Sequence, residues 1–115
     1  MNEQVQAEFK KIFNGRFSTS ESTRANYARG EDTYDPVLSK AVVFPETNEE
    51  VSKVLRLCNE HKIPVVPFGT GTSLDGNVVG NEKGISICLE IMNKILSVNV
   101  EDFDCRVQAL SLIHI

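Results

Sequence analysis

The sequence contains no tryptophan, only two histidines, and three cysteines that form no Cys-x-x-Cys pair. Metal sites of the zinc type need closely spaced thiolates or imidazoles, so none is expected. Cys58, Cys88 and Cys105 are widely separated. They read as reduced, buried thiols in a reducing compartment. That compartment is the cytoplasm, with a mitochondrion or the periphery of a membrane as variants. A catalytic thiol wants a basic, partly exposed setting, whereas Cys58 and Cys88 sit among apolar neighbours. Cys105 precedes Arg106, but adjacent side chains on a strand point to opposite faces. No apolar run approaches the ~20 residues that span a bilayer, so no transmembrane segment is expected. Twelve Lys and Arg face sixteen Asp and Glu, for a net charge of −4. With no basic stripe, nucleic acid is not an expected partner. The first residues, with Glu3 and Glu8, lack the apolar core of a secretory signal and the arginines of a transit peptide.

The 115 residues amount to one domain or part of one, and an apolar share of 41% suits a chain that buries a core. Val5, Phe9, Ile12 and Phe13 recur at helical spacing, and Gly15 is placed to end that helix. From Ser18 to Lys40 the pattern is polar and aperiodic, which predicts loop with a short helix at most. Ala41-Val42-Val43-Phe44, closed by Pro45, reads as a strand covered on both faces. Thr47 and Glu50 fit a capping box. Val51, Val54, Leu55 and Cys58 form the apolar stripe of the helix that follows. His61 and Lys62 fall at its C-terminal end and Pro64 stops it. Val65, Val66 and Phe68 make a second strand, completing a β-α-β unit. Ile85, Ile87, Leu89 and Ile91 then alternate along a strand. Residues 95–109 predict an antiparallel hairpin turning at Glu101-Asp102-Phe103-Asp104. The fold class is α/β (α+β): a parallel β-α-β subdomain followed by antiparallel strands. The chain divides into an N-terminal helix and lead-in at 1–40, a partial binding domain at 41–109, and a tail at 110–115.

The most informative segment is Pro67-Phe68-Gly69-Thr70-Gly71-Thr72-Ser73-Leu74-Asp75-Gly76-Asn77. An apolar strand runs into a loop with two close glycines, three hydroxyls and no charge before Asp75. Glycine admits positive φ and close approach of a ligand to the main chain, so several N–H groups can converge on one anion. A Walker loop is excluded by chemistry. Gly71 and Gly76 have its separation, but Asn77 and Val78 stand where lysine and a hydroxyl residue are required. A dinucleotide fingerprint fits Gly69 and Gly71, and Glu90 lies at the spacing of a ribose ligand. Leu74 occupies its third glycine position, however, and the stretch from Asp75 to Gly84 has no apolar stripe for the helix that motif needs. What remains is a helix-free cradle, in which amides of about Gly69 to Ser73 and the hydroxyls of Thr70, Thr72 and Ser73 hold a diphosphate. The alternative is a plain glycine turn between strands.

The same segment resembles the pyrophosphate loop of the FAD-linked oxidases of the p-cresol methylhydroxylase and vanillyl-alcohol oxidase type. Within that family the look-alikes are the D-lactate dehydrogenases that pass electrons to cytochrome c and the glycolate oxidase flavoprotein subunit. The resemblance extends through Tyr27-Ala28-Arg29-Gly30-Glu31-Asp32 with Tyr34, through Ala41 to Pro45 with Thr47 to Val51, and through Ile85 to Gln108 with Met92-Asn93-Lys94-Ile95. It implies a two-part FAD domain in which Pro67, Phe68, Gly69, Thr70, Gly71, Thr72, Ser73 and Leu74 hold the FAD diphosphate. Gly76 and Asn77 would lie toward the flavin, and Pro45 near the adenosine side. It also implies oxidation of a small D-2-hydroxy acid to the 2-oxo acid, with cytochrome c, a quinone or another electron acceptor. Where the family has a glycine after Val-Gln-Ala, this chain has Leu110, and residues 110–115 match nothing in it. They read as a non-native tail on a fragment that turns over nothing by itself. No catalytic residue carries over. His61 reads as a helix cap, His114 lies in the tail, and Glu101, Asp102 and Asp104 shape a turn. Asp75 is expected to point outward or to bond the local backbone. The competing function is a non-enzymatic nucleotide- or anion-binding α/β module, complete by itself.

Overall fold

The structure, a computed structural model, describes residues 3–31, 34–72, 74–76 and 78–110. The elements in chain order are α1 (Glu3–Phe13), β1 (Phe17–Ser18), α2 (Glu21–Asn26), β2 (Ala41–Val43), α3 (Asn48–Glu60), β3 (Val65–Phe68), β4 (Ile85–Cys88), β5 (Ile95–Asn99) and β6 (Asp104–Val107). Four strands form one sheet in the order β1-β2-β4-β3, and β5 and β6 form a separate two-stranded sheet.

The first sheet is parallel across β2, β4 and β3, with β1 antiparallel at one edge. The expected β-α-β unit is present as β2-α3-β3, but its two strands are not neighbours. β4 lies between them, pairing Ala41 with Ile85 on one side and Val65 with Ile85 on the other. The antiparallel part of the fold therefore begins at β5, not at Ile85. The cause is a buried polar pair. Alternation from Ile85 suggests a half-exposed strand, yet Ser86 is fully buried, its Oγ 2.9 Å from the Oγ of buried Ser39. A hydroxyl satisfied in this way can occupy a fully covered strand, so β4 is buried on both faces.

Both faces carry core. On one, Val5, Phe9 and Phe13 of α1 meet Val54 and Cys58 of α3 over Ala41, Val43, Ile85 and Ile87. On the other, Val42, Phe68, Val78 and Cys88 pack with Tyr27 and Phe44. Successive strand residues point to opposite faces, which is why an unbroken Ala-Val-Val run serves both layers. Ile12 and Leu55 sit at the margins of their helical stripes and are partly exposed, Leu55 at 48%. Leu57 and Ile63 pack against the core on that side instead.

Local signals account for the helix ends. Gly15, at φ +88°, closes α1. The Thr47 hydroxyl accepts from the Glu50 amide at 3.2 Å, but the Glu50 carboxylate bonds the Glu46 amide, one residue earlier than a capping box would. α3 ends in a Schellman turn. The Ile63 amide donates to the Cys58 carbonyl at 2.8 Å, the Lys62 amide to the Asn59 carbonyl, and Lys62 takes φ +54°. His61 is the C-cap of that helix.

Arg16 ties β1 to the start of α3. Its guanidinium donates to both Glu50 oxygens, at 2.9 and 2.6 Å, and to the Phe44 carbonyl. That bidentate bond holds the Glu50 carboxyl below its ordinary value, against an opposing effect of burial. A depressed folded-state pKa gives stability that is complete above the unfolded value, about 4.3, and lost as pH falls through the lower folded one. Glu50→Gln should therefore be less stable than the wild type at neutral pH. The gap between their urea midpoints should close as pH drops below the ordinary glutamate range. A gap independent of pH would remove Glu50 ionisation from the account.

The β5–β6 hairpin matches expectation, with register Val98 to Cys105 and Asn99 to Asp104. Every residue of both strands is exposed. Cys105 is accordingly an exposed free thiol, not a buried one. Among the described residues no second layer covers the hairpin, and its location on a two-stranded ribbon is the reason.

Candidate functional site

β3 delivers the glycine loop. Its last residue, Phe68, pairs with Cys88, and the Leu89 amide continues the ladder by donating to the Phe68 carbonyl at 3.0 Å. The loop thus leaves the carboxyl end of a parallel strand, the edge at which open α/β sheets bind ligands. No helix follows it among the described residues, as the polar stretch after Asp75 implied.

The loop turns over the ring of its own preceding residue. Gly71 has φ +77°, and a Cβ built there would lie 2.7 Å from Phe68 Cζ. That clash and that φ both demand glycine. The amides of Gly69, Thr70, Gly71 and Thr72 donate to no acceptor among the described residues. The Thr70 and Thr72 hydroxyl oxygens lie 3.2 Å apart on the exposed side. Gly69, Thr70, Gly71 and Thr72, with Val78 and Leu110, line a hollow of about 300 Å³. Among the described residues its polar donors are neutral N–H and O–H groups, and no lysine or arginine lines it. Such a set can bind and orient an anion through converging dipoles.

Not all the expected site residues meet here. Phe68 lies beneath the loop, 6% exposed. Pro67 is an exposed strand residue opposite Ile87. Leu74 projects outward at 75% exposure. Gly76, at φ +76°, lies under the Tyr34 ring and lines a second hollow of about 340 Å³ with Tyr34, Asp35, Val37, Asp75 and Val79. Asp75 is exposed there, outside the first hollow. Ser73, Asn77 and His114 lie outside the described residues. Pro45 is buried at the end of β2. Asp102 lies in the exposed turn of the hairpin beside Glu101, and Asp104 accepts from the Asn99 side chain at 2.6 Å.

Two lining residues escape sequence reasoning. Val78 follows a glycine-rich stretch with no periodicity to mark it. Leu110 is brought over by a bond from its amide to the Met92 carbonyl, and its Cδ1 would lie 3.3 Å from a Cβ on Gly69. Tyr27, an isolated aromatic in a polar stretch, packs edge-on against Phe44 and Phe68 with its ring centroid 5.4 and 5.1 Å from theirs. Its hydroxyl donates to Glu90 Oε1 at 2.8 Å. Burial, and then that bond, push its pKa well above the ordinary tyrosine value. The carboxylate of Glu90, spaced like a ribose ligand, is therefore engaged with Tyr27. Burial pushes the thiols of Cys58 and Cys88 up to about 11, which leaves them unreactive at neutral pH.

A largely parallel α/β sheet with a strand ending in a glycine loop, whose amides meet no acceptor among the described residues, is the kind of edge at which α/β domains can bind an anion. The profile described as "FAD binding domain" matches residues 39–110, and the chain belongs to that family, whose cofactor is FAD. The mitochondrial D-lactate dehydrogenase (cytochrome) of Arabidopsis thaliana is 32% identical over 104 residues, covering 89% of this chain and 18% of that protein. Glycolate oxidase subunit GlcD of Bacillus subtilis is 33% identical over 92 residues, covering 80% of this chain and 20% of its own length. A crystal structure of p-cresol methylhydroxylase with substrate bound shares the fold at TM-score 0.69 and 22% identity, over 84% of this chain and 20% of that one. The chain spans about a fifth of the length of these curated relatives.

Proposed function

We propose that residues 69–72 hold the diphosphate of FAD, in a flavin-dependent oxidoreductase that converts a small D-2-hydroxy acid to the 2-oxo acid. The observation that carries this reading is the set of amides from Gly69 to Thr72 that meet no acceptor among the described residues, beside a hollow and on a turn where a side chain at Gly71 would strike Phe68. Its donors suit phosphoryl oxygens, which accept hydrogen bonds and carry charge. Bound FAD supplies the hydride acceptor. This chain's residues bind and orient the cofactor. Thr70 and Thr72 add hydroxyl donors at the rim, and the family resemblance assigns Ser73 and Leu74 to the diphosphate as well. The family resemblance assigns Gly76 and Asn77 to the flavin side, and Pro67 and Phe68 form the base of the loop. The names of the relatives support D-lactate or glycolate as the substrate and a cytochrome or similar carrier as the acceptor. The buried free thiols support a reducing compartment, and among the described residues no helix is long and apolar enough to cross a membrane. Residues 41–109 are the cofactor-binding part and residues 1–40 its lead-in. The 115 residues turn over nothing alone.

The test uses the protein expressed from its complete reading frame. ADP should displace FAD competitively, followed by flavin fluorescence, and riboflavin should not. Anaerobic D-lactate or glycolate should bleach the flavin absorbance. Failure of ADP to compete would put the diphosphate elsewhere. Competition without bleaching by any D-2-hydroxy acid would favour a binding module with no reaction.

A further inference from the structure

Tyr27 and Glu90 line neither hollow, yet both bear on the loop. Tyr27 is the C-cap of α2, distant in sequence from residues 69–72. Its ring stands nearly perpendicular to that of Phe68, at 87°, and to that of Phe44, at 76°. Such edge-to-face pairs attract beyond the effect of their buried area. The Phe68 ring in turn touches the space over Gly71, with Cζ, Cε1 and Cε2 all within 3.6 Å of where a Cβ would be. The height of the Gly71 turn is therefore set by where the Phe68 ring stands. That ring is held by Tyr27 from one side and by Val42, Val78 and Cys88 around it. The Tyr27 hydroxyl is pinned at 2.8 Å to Glu90, just past β4. The same stretch, through Leu89, bonds the carbonyl of Phe68.

We propose that Tyr27, clasped to Glu90, is a positioning residue for the glycine loop, acting through the Phe68 ring to set the direction of the Gly69 to Thr72 amides. The inference rests on the diphosphate reading above. The chemistry it serves is that of a nucleoside diphosphate, whose oxygens must meet several N–H groups at once. A small rise or tilt of the Gly71 turn would spoil that convergence without unfolding the sheet.

The experiment measures FAD affinity and release in the complete protein, by flavin fluorescence, beside the melting temperature of the FAD-free form. Tyr27→Phe keeps the ring and removes the clasp. Glu90→Gln weakens the clasp from the other end. Each should weaken FAD binding about fivefold, the scale of one hydrogen bond. The double variant should be no worse than either alone, since both remove one interaction. Tyr27→Leu also removes the edge-to-face contacts and should weaken binding roughly 30-fold. A purely structural Tyr27 would instead lower the melting temperatures of the FAD-free and FAD-bound forms equally and leave affinity unchanged. Wild-type FAD affinity in both Tyr27→Phe and Glu90→Gln overturns the proposal, even if Tyr27→Leu fails to fold. If ADP does not compete with FAD in the wild type, the diphosphate reading itself has failed. If ADP competes and the clasp variants bind normally, only the clasp has failed.

Discussion

Gly71→Val is expected to strip the protein of its FAD. Two independent penalties meet at this position. At φ +77° an L side chain costs roughly 1–2 kcal/mol, and a β-branched one is the least tolerated. The new Cβ would also fall 2.7 Å from Phe68 Cζ and 3.2 Å from Cε1. A flexible surface side chain would move aside, but this ring is buried and flanked by Tyr27 at 5.1 Å. The loop must lift, and its amides then no longer point at one locus. Losing two or three converging hydrogen bonds to charged oxygens, each worth about 1.5–3 kcal/mol, implies a loss of affinity of roughly 100-fold or more. The purified variant should be colourless, with flavin absorbance far below one equivalent. The sheet should survive, because the strain lies past the end of β3. A yellow variant with one equivalent of FAD would show that the diphosphate does not sit on this turn.

Gly84→Ala should be the more damaging change to stability. No unusual φ is involved, so the effect is steric alone. A Cβ at Gly84 would lie 2.2 Å from the Pro64 carbonyl oxygen and 2.9 Å from its carbon. Backbone atoms have no rotamer to escape into. This carbonyl also accepts the Ile85 amide at 3.0 Å, and the Gly84 carbonyl accepts the Lys40 amide at 2.8 Å. Relief requires parting β3 from β4 at their amino ends, where β2 also begins. We expect a loss of roughly 3 kcal/mol and a melting temperature lower by more than about 10 °C, read by urea and thermal unfolding. Gly15→Ala supplies the contrast. Its φ is +88°, but nothing lies within 4 Å of the new methyl, so only the conformational cost of about 1 kcal/mol remains. Equal losses at the two sites would mean that the Pro64 contact relaxes freely.

The parts legible in the sequence are those governed by local chemistry. The Thr47 cap, the Ala-Val-Val strand, the run into Gly69 and the hairpin past Ile95 each carry their cause within a few residues, and each is present. The order of strands is not such a property. Periodicity says that Ile85 to Cys88 is extended but not what it lies beside, and the Ser86 to Ser39 bond joins positions 47 residues apart. Burial of a serine hides a two-faced strand behind an alternating pattern. Leu55 and Cys105 are exposed where the sequence pattern predicts burial, for a related reason. A stripe or an apolar neighbour shows which face could be covered, while the partner that covers it comes from elsewhere in the chain. The glycine loop was legible as a turn because a positive φ and a missing side chain at Gly71 are written as glycine. Tyr27 was not, since an aromatic in a polar stretch acquires its role only from Phe68, Phe44 and Glu90.

The insertion of β4 between β2 and β3 bears on how the cofactor is acquired during synthesis. β3 ends the sheet, and its one neighbour among the described residues is β4, which leaves the ribosome later than the glycines do. Until Cys88 has emerged, Phe68 has no strand to seat against and the turn after it has no fixed foundation. A nascent chain paused before that point would expose its glycines as ordinary flexible polymer, with nothing to attract a dinucleotide. If the loop holds the diphosphate as proposed, flavin capture would wait on translation of β4, the strand beyond the loop.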